Sequence, residues 1–257
     1  GETCPQGHAA VLEGFQASWA EGHNFPAIHR LEARSAAGIL LRDCDANVLA
    51  RLDHYESGFG YRLHRVQVQG PTGLLQAEVY LPPEGILAGH TWSLKDWVRD
   101  NGALVYEAAE EVMAVFGHMK ADEMALAYPM MLMRADARLK AREHPAPASQ
   151  SGLTHSDVTV HQCKQPYTKF FAVQEADISV PRFDDGQTHQ VTRAAFLGTD
   201  ATMVLPYDPK TDRVLLVEQF RFGPFLRDDP NPWLIEPIAG RIDVGESPEM
   251  TAIREAK

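Results

Sequence analysis

The chain has 257 residues, of which 44% are hydrophobic, and a formal net charge of -11 at pH 7. This length allows one large domain or two modest ones, and the acidic charge argues against a nucleic-acid partner, because phosphate binding requires a basic face. No apolar run approaches the ~20 residues that span a bilayer, so we expect no membrane insertion. Three scattered cysteines, Cys4, Cys44 and Cys163, favour a reducing cytoplasm over a disulfide framework or a zinc site. Neither a signal peptide nor an initiator Met is present, so we expect a chain trimmed at both ends.

The first half of the chain predicts strands followed by helices. The predicted strands are Val11 to Trp19, Gly38 to Arg42, Tyr61 to Gln69 and Leu74 to Leu81, the last two forming a hairpin. The predicted helices are Asp45 to Tyr55, Ser93 to Phe116 and Ala121 to Arg142. A segment rich in Pro, Ser and Gly follows from His144 to Leu153 and is typical of a linker.

The second half is β-rich and ends in a helix. The predicted strands are Asp157 to Cys163, Phe170 to Val180, Gln190 to Leu197, Thr202 to Pro206, Arg213 to Phe220 and Leu234 to Ala239. The final helix has a strong start signal, with Ser247 as N-cap, Pro248 at the first helical position and Glu249 in the first turn.

Around this helix start, Gly240, Glu246, Arg254 and Glu255 have the spacing G-x5-E-x7-R-E. This pattern resembles the Nudix box, a loop and helix that bind a divalent cation against a substrate diphosphate. We call Gly240–Glu255 the box. The family pattern continues with two more glutamates three and four places after Glu255, beyond Lys257, so we expect the metal-binding helix to be incomplete in this chain.

The resemblance implies a role for each residue of the box. The Ala239 carbonyl and the Glu255 carboxylate would bind Mg²⁺, with Mn²⁺ as an alternative, because hard cations prefer oxygen ligands. Arg254 would orient the glutamates, and Glu246 would have a structural role. Charged helix residues are also often simply solvated. The general base of the family lies well downstream of the box, so no residue here is assigned to it.

Neighbouring segments resemble ADP-ribose pyrophosphatases, which implies hydrolysis of ADP-ribose to AMP and ribose 5-phosphate. The segments are Val214 to Arg221, Pro232 to Gly240 and Tyr167 to Phe171. By this resemblance Arg221 contacts the substrate, and Phe170 and Phe171 flank the adenine, although either ring could equally belong to a strand core and Arg221 could be an exposed strand-end residue. Glu236 and Arg241 complete the expected substrate-binding set, with Arg241 departing from the apolar residue that is usual there.

Arg193 matches an arginine that, in this subfamily, reaches the adenine end from the partner subunit. The resemblance therefore implies a homodimer with exchanged strands, in which two chains build each active site around a small nucleoside diphosphate sugar.

The first half resembles γ-glutamylcyclotransferase-like domains in three segments, Gly38 to Leu41, Leu52 to Tyr61 and Glu78 to Tyr80. The catalytic carboxylate of that family corresponds to Glu56, which would shuttle a proton while the substrate amine attacks its own carbonyl. A Tyr-Gly strand that the family needs is missing from this sequence. Alternatives to the diphosphatase are thus a γ-glutamylamine or γ-glutamyl peptide cyclotransferase, or a non-catalytic binding module.

The expected fold is α+β, with a small γ-glutamylcyclotransferase-like barrel and its helices followed by a Nudix α/β/α sandwich. The expected domains are 1–90, a helical pair at 91–143, a linker at 144–153, and the Nudix domain at 154–257. This order resembles ADP-ribose diphosphatases of the bacterial tellurite-resistance type.

Overall fold

The structure is a computed structural model that describes residues 5–143, 150–183 and 188–257. Over these described residues the fold is mixed α and β, with 30% helix and 43% strand. The chain divides into two compact units, Gly1–Pro129 and Met130–Lys257. This division lies inside a predicted helix and not at the predicted linker, of which residues 144–149 fall outside the described part. The expected domain boundaries remain predictions.

The first unit is built on an antiparallel sheet. Its strands are β1 (Gln6–Ala20), β2 (Pro26–Arg42), β3 (Arg62–Gly70), β4 (Gly73–Leu81) and β5 (Ala88–Thr91). The hydrogen-bonded order is β2-β1-β3-β4, and β5 pairs with the far end of β1. The strands β2 and β4, at the two ends of this order, do not pair with each other, so the described residues form an open sheet where a closed small barrel was expected.

A β-bulge in β1 keeps one face of this strand buried along its length. Ala10 and Leu12 point into the core, but the next inward residue is Phe15, because the register with β2 shifts between Glu13 and Phe15. Gly14, between them, has φ 76°, a left-handed conformation that glycine adopts without a Cβ penalty. The strand can therefore be long and curved while burying one face throughout. The core of this sheet comprises Ala10, Leu12, Phe15, Ala36, Val66 and Val68.

The helices of the first unit agree with the sequence patterns, with one interruption. Helix α1 is Ala46–Gly58, and Asp45 caps it by accepting a hydrogen bond from the Val48 amide at 2.8 Å. The predicted helix Ser93 to Phe116 is α2 (Leu94–Trp97), a π-helical turn at Val98–Gly102, and α3 (Ala103–Ala114). Glycine at this turn is consistent with the interruption, because it is a weak helix former.

Helix α4 spans Ala121–Glu143, as predicted to within a residue. It contains Pro129, which has no amide hydrogen for the helical ladder. The two compact units divide directly after this proline. The part of α4 up to Pro129 thus belongs to the first unit and the longer remainder to the second.

The second unit begins with a 3₁₀ turn at His155–Asp157 and a meander of β6 (Thr159–Thr168), β7 (Ala172–Pro181) and β8 (Thr188–Leu197). Three two-stranded ladders follow, and their strands are β9 (Ala201–Val204), β10 (Tyr207–Asp208), β11 (Arg213–Val214), β12 (Val217–Phe220), β13 (Trp233–Glu236) and β14 (Ile238–Arg241). They pair as β9-β14, β10-β11 and β12-β13. Over the described residues these ladders remain separate, so the expected α/β/α sandwich is not seen as one continuous sheet.

Two single-strand predictions in this unit are wrong. The predicted strand Arg213 to Phe220 is divided into β11 and β12, and the predicted strand Leu234 to Ala239 is divided into β13 and β14. Pro237 causes the second division, since it cannot donate to a ladder. Helices α5 (Phe222–Leu226) and α6 (Pro248–Glu255) complete the unit, and α6 has Ser247 as its N-cap, as predicted.

No helix in the described ranges is long and apolar enough to cross a membrane. Cys44 and Cys163 are free thiols, whereas Cys4 lies outside the described residues.

Candidate active site

The two ends of the box, Gly240 and Glu255, lie against each other. Strand β14 carries Gly240, and α6 ends with Glu255, whose carboxyl group lies so close to the Gly240 backbone that a Cβ there would overlap it. Only glycine leaves this space, so the residue type at 240 is what allows the carboxylate to approach the strand. The Ala239 carbonyl belongs to the adjacent peptide, and Ala239 is exposed.

Glu246 holds the loop between β14 and α6. Its carboxylate accepts hydrogen bonds from Arg254 Nε at 2.9 Å, Arg254 Nη2 at 2.8 Å and the Thr251 hydroxyl at 2.7 Å. The Arg254 donors, followed by Thr251, lower the pKa of Glu246 from its ordinary 4.5 to about 2. The predicted structural role of Glu246 thus has a geometric basis: it is an ionised anchor for the loop.

Arg254 links this anchor to the proposed metal ligand. Its Nη2 also donates to the Arg241 carbonyl at 2.9 Å, and its Nη1 pairs with the Glu255 carboxylate. One guanidinium therefore fixes the loop backbone, the anchor and the carboxylate of Glu255 together. The orienting role that the resemblance implies for Arg254 remains a prediction.

The donor atoms at this site are of the kind that Mg²⁺ binds. Glu255 offers a partly exposed carboxylate, and Ala239 offers a main-chain carbonyl on the residue before Gly240. Both are hard oxygen ligands, but Mg²⁺ requires about six. In the part of the chain that the structure describes, no group of three or more His, Cys, Asp or Glu side chains is arranged to hold a metal ion. The site fits a divalent cation in donor type and supplies part of its ligand set.

Arg221 and Glu236, predicted separately, form an ion pair. Arg221 Nε lies 2.7 Å and its Nη2 2.5 Å from Glu236 Oε1. Arg221 directly follows β12, and Glu236 is the last residue of β13. The Arg221 side chain remains 43% exposed. Glu236 therefore fixes the orientation of the guanidinium while leaving it accessible to an anionic ligand.

Phe170 and Phe171 lie in the turn between β6 and β7 and are 50% and 41% exposed, so neither is a strand-core residue. Their rings are perpendicular, with centroids 4.7 Å apart. The ring centroid of Phe196, on β8, lies 4.5 Å from that of Phe171. We call Phe170, Phe171 and Phe196 the aromatic cluster. It presents open ring surface of the kind on which a base can stack.

Arg241 occupies one side of this cluster. Its guanidinium lies 4.3 Å from the Phe170 ring centroid, and its Nη1 contacts Met130 Sδ at 3.1 Å. The distance is typical of a cation–π contact. The structure thus brings the carboxyl end of β14 and the aromatic cluster together through Arg241.

Arg193 does not join these groups within the single chain. It lies on β8 opposite Ala176 and donates to the Thr192 carbonyl at 3.0 Å. Its predicted action from a partner subunit stays a prediction.

The first unit contains a second group of titratable side chains around Glu56, near the end of α1. Burial raises the pKa of the Glu56 carboxyl. Burial also raises the pKa of Tyr61 to about 12, with a further contribution from the Glu56 charge. The pKa of Tyr80 is raised first by burial and then by the charges of Asp53, Glu56 and Glu78. The Tyr55 and Tyr128 hydroxyls lie 3.1 Å apart, and the pKa of each is raised, chiefly by burial. Glu56 is therefore a partly buried carboxyl among phenols.

Family models match both ends of the chain. Residues 1–99 match the family described as gamma-glutamyl cyclotransferase, AIG2-like, and residues 198–257 match the NUDIX domain. The chain carries one domain of each kind. The Glu56 group lies in the AIG2-like domain, and the box lies in the NUDIX domain.

Curated relatives share part of this sequence. An ADP-ribose pyrophosphatase of Haemophilus influenzae is 40% identical over 107 residues, which are 41% of this chain and 49% of the relative. An ADP-ribose pyrophosphatase of Escherichia coli is 36% identical over 101 residues, which are 39% of this chain and 48% of the relative. The chain thus spans about half the length of the curated relatives that it matches.

Among solved structures, a solution structure of an Arabidopsis thaliana protein matches at 14% identity with a TM-score of 0.34. It covers 59% of this chain and 78% of that one. A likeness at this level supports no inference.

Several residues that contact the box or the aromatic cluster were not predicted from the sequence patterns. Thr251 is fully buried against Glu246, and Phe196 extends the aromatic cluster. The spacing of Thr251, one turn after Ser247, could have placed it on the inner face of α6. Three residues of α4 also contact this region. Met130 contacts Arg241, Arg134 donates to the Phe170 carbonyl, and Lys140 donates to the Glu246 carbonyl. No local pattern could have indicated these, because the partners are far apart in sequence.

Proposed function

We propose that the protein hydrolyses the diphosphate of ADP-ribose to AMP and ribose 5-phosphate, with a divalent cation as cofactor. The observation that carries this proposal is the contact between Glu255 and Gly240, in a loop that Glu246 and Arg254 hold closed. The names of the curated relatives support ADP-ribose as the substrate.

Three charged residues of the box, Glu246, Arg254 and Glu255, would together hold the cation against the diphosphate. The Ala239 carbonyl and the Glu255 carboxylate would bind Mg²⁺, or Mn²⁺ in its place. When bound there, the cation would neutralise phosphate oxygens and lower the pKa of a water molecule. Arg254 keeps the Glu255 carboxylate against Gly240, and Glu246 keeps Arg254 in place.

The remaining residues would bind the two ends of the substrate. Arg221, oriented by Glu236, offers N–H donors to a phosphate or a ribose. The aromatic cluster would receive the adenine, with Arg241 beside Phe170 as part of the same wall. Arg193 would approach from a partner chain, which makes a cytoplasmic homodimer with exchanged strands part of the proposal.

The test is to incubate the purified protein with ADP-ribose and Mg²⁺ and to separate the products by ion-exchange chromatography. We expect equal amounts of AMP and ribose 5-phosphate, and no products when EDTA replaces Mg²⁺. A Glu218→Gln variant, changed at an exposed strand position, is the control for a charge change outside the box. Absence of AMP from the unmodified protein with Mg²⁺ would exclude the proposal.

A second candidate function is favoured by the state of Glu56. Burial raises the pKa of the Glu56 carboxyl, and a carboxyl in such a site can accept and return a proton. Proton transfer of this kind is required when a γ-glutamylamine or γ-glutamyl peptide cyclises to 5-oxoproline and releases its free amine or peptide. Release of 5-oxoproline from such substrates, lost in Glu56→Gln, is the expected result. If none is released, the AIG2-like domain is better described as a binding module.

A further inference from the structure

The carboxyl half of α4 lies outside both family matches, yet it contacts the box. The matches end at residue 99 and resume at residue 198, whereas Lys140 lies between them. Lys140 Nζ donates to the Glu246 main-chain carbonyl at 3.1 Å. This contact joins residues 106 positions apart, so only tertiary packing can form it.

The position of the Lys140 ammonium is itself fixed. Asp136, one helical turn earlier, lies 2.7 Å from Nζ. The Lys140 and Asp136 side chains are only 33% and 18% exposed, so the pair is shielded from water more than an ordinary surface ion pair. An oriented, partly desolvated ammonium is a strong donor to a carbonyl, because its charge strengthens the hydrogen bond.

The carbonyl that Lys140 holds belongs to the residue that anchors the loop. Glu246 donates its amide to the Asp243 carbonyl at 3.0 Å and binds Arg254 through its carboxylate, and Arg254 in turn pairs with Glu255. A continuous series of polar contacts therefore runs from α4 through the loop to the proposed metal ligand. If the Lys140 contact is removed, the loop keeps its internal bonds but loses this bond to α4.

We infer that Lys140 is a positioning residue for the metal-binding loop, acting through Glu246 and Arg254 on the Glu255 carboxylate. This inference rests on the proposed function in one respect, namely that the box binds a divalent cation. It adds a requirement that lies outside the NUDIX match: the loop is held in a metal-binding geometry by a helix that precedes the domain.

The test measures metal binding directly, with Mn²⁺ alone as the probe and the whole protein in solution. Electron paramagnetic resonance of free Mn²⁺ gives the dissociation constant for the unmodified protein and for Lys140→Gln, Lys140→Arg and Asp136→Asn. Lys210→Gln, at an exposed turn position, is the matched control. Hydrogen exchange of the amides between Arg241 and Met250, without metal, reports the order of the loop.

We expect Lys140→Gln to weaken Mn²⁺ binding about 10-fold, in the range found when partners of metal ligands are removed. Loop amides should exchange faster, and the melting temperature should change little. Lys140→Arg should recover most of the affinity, Asp136→Asn should lose part of it, and Lys210→Gln should match the unmodified protein. A purely structural role would lower the melting temperature of Lys140→Gln and leave its Mn²⁺ affinity unchanged.

The inference is overturned if Lys140→Gln binds Mn²⁺ like the unmodified protein, if Lys140→Arg is as weak as Lys140→Gln, or if the unmodified protein binds no Mn²⁺. Failure of the proposed function gives a different result. In that case Mn²⁺ binds and depends on Lys140, but ADP-ribose is not hydrolysed.

Discussion

Glu246 anchors the loop through its negative charge. In the folded protein its pKa is about 2, because Arg254 and Thr251 donate to the ionised carboxylate, whereas its ordinary value is 4.5. The folded state binds this proton more weakly than the unfolded state does. The carboxylate therefore stabilises the fold above pH 4.5, and this contribution disappears as the pH falls towards 2.

This predicts a pH-dependent effect of Glu246→Gln. At pH 7 the variant should be less stable than the unmodified protein, and the difference should shrink steadily between pH 4.5 and pH 2. Melting temperatures of both proteins across this range provide the measurement. A difference that stays constant with pH would mean that the carboxylate charge does not hold the loop.

Phe170 allows a test of base stacking, because half of its ring is exposed and Arg241 covers one side. Replacing it with leucine keeps an apolar side chain but removes the flat π surface. Stacking on an aromatic residue contributes about 1–3 kcal/mol per base, so we expect Phe170→Leu to raise KM for ADP-ribose about 5-fold or more with kcat little changed.

The matched control for this variant is Phe183→Leu, since Phe183 is 84% exposed and lies outside the aromatic cluster. Steady-state kinetics of both variants measure their KM for ADP-ribose. An unchanged KM in Phe170→Leu would assign the adenine to another surface.

At the scale of single residues, the sequence could predict which residues lie together when they belong to one local segment. Gly240, Glu246, Arg254 and Glu255 have a fixed spacing, so their common site follows from the chain itself. Lys140 could not be predicted, because its contact with Glu246 depends on how α4 packs. The roles of the predicted substrate-binding residues remain predictions.

At the scale of elements, the start of α6 depends on one hydroxyl group. Ser247 Oγ accepts a hydrogen bond from the Met250 amide at 3.2 Å, which satisfies one of the amides left without a helical partner. We expect Ser247→Ala to destabilise the protein by about 1 kcal/mol and Ser247→Asp to preserve its stability. Urea denaturation of the three proteins measures the difference, and equal midpoints for all three would show that the cap contributes nothing.

Element types were predicted better than element ends, for local physical reasons. Alternation along Tyr61 to Gln69 and Leu74 to Leu81 gave β3 and β4 almost to the residue. The first part of β2 and all of β5 were not predicted. The breaks within two predicted strands were not predicted either, because β11 and β12 each form only short ladders with different partners. The ends and breaks of strands depend on pairing between segments that are distant in sequence, and local patterns contain no information about that pairing.

At the scale of the whole molecule, the two groups of candidate catalytic residues lie in different compact units. We expect Glu255→Gln to reduce ADP-ribose hydrolysis at least about 100-fold and to leave release of 5-oxoproline unchanged. Glu56→Gln should have the opposite pattern. Assays of both reactions with both variants provide the measurement, and loss of both activities in either variant would contradict separate active sites.

The order of the two domains could be predicted from the sequence, whereas the division between the compact units could not. The segment rich in Pro and Ser suggested a linker after α4, but the contacts divide within the helix, after Pro129. Helical periodicity continues through that position and gives no sign of a boundary. Only the distribution of contacts on each side of Pro129 locates it.

Pro129 also has a consequence for the cooperativity of α4. A helix normally propagates its order through successive amide-to-carbonyl bonds, and Pro129 removes one of them in the interior of this 23-residue helix. Local melting that begins at Ala121 need not spread to Glu143. The half of α4 that carries Lys140 can therefore remain helical at the box when the other half opens.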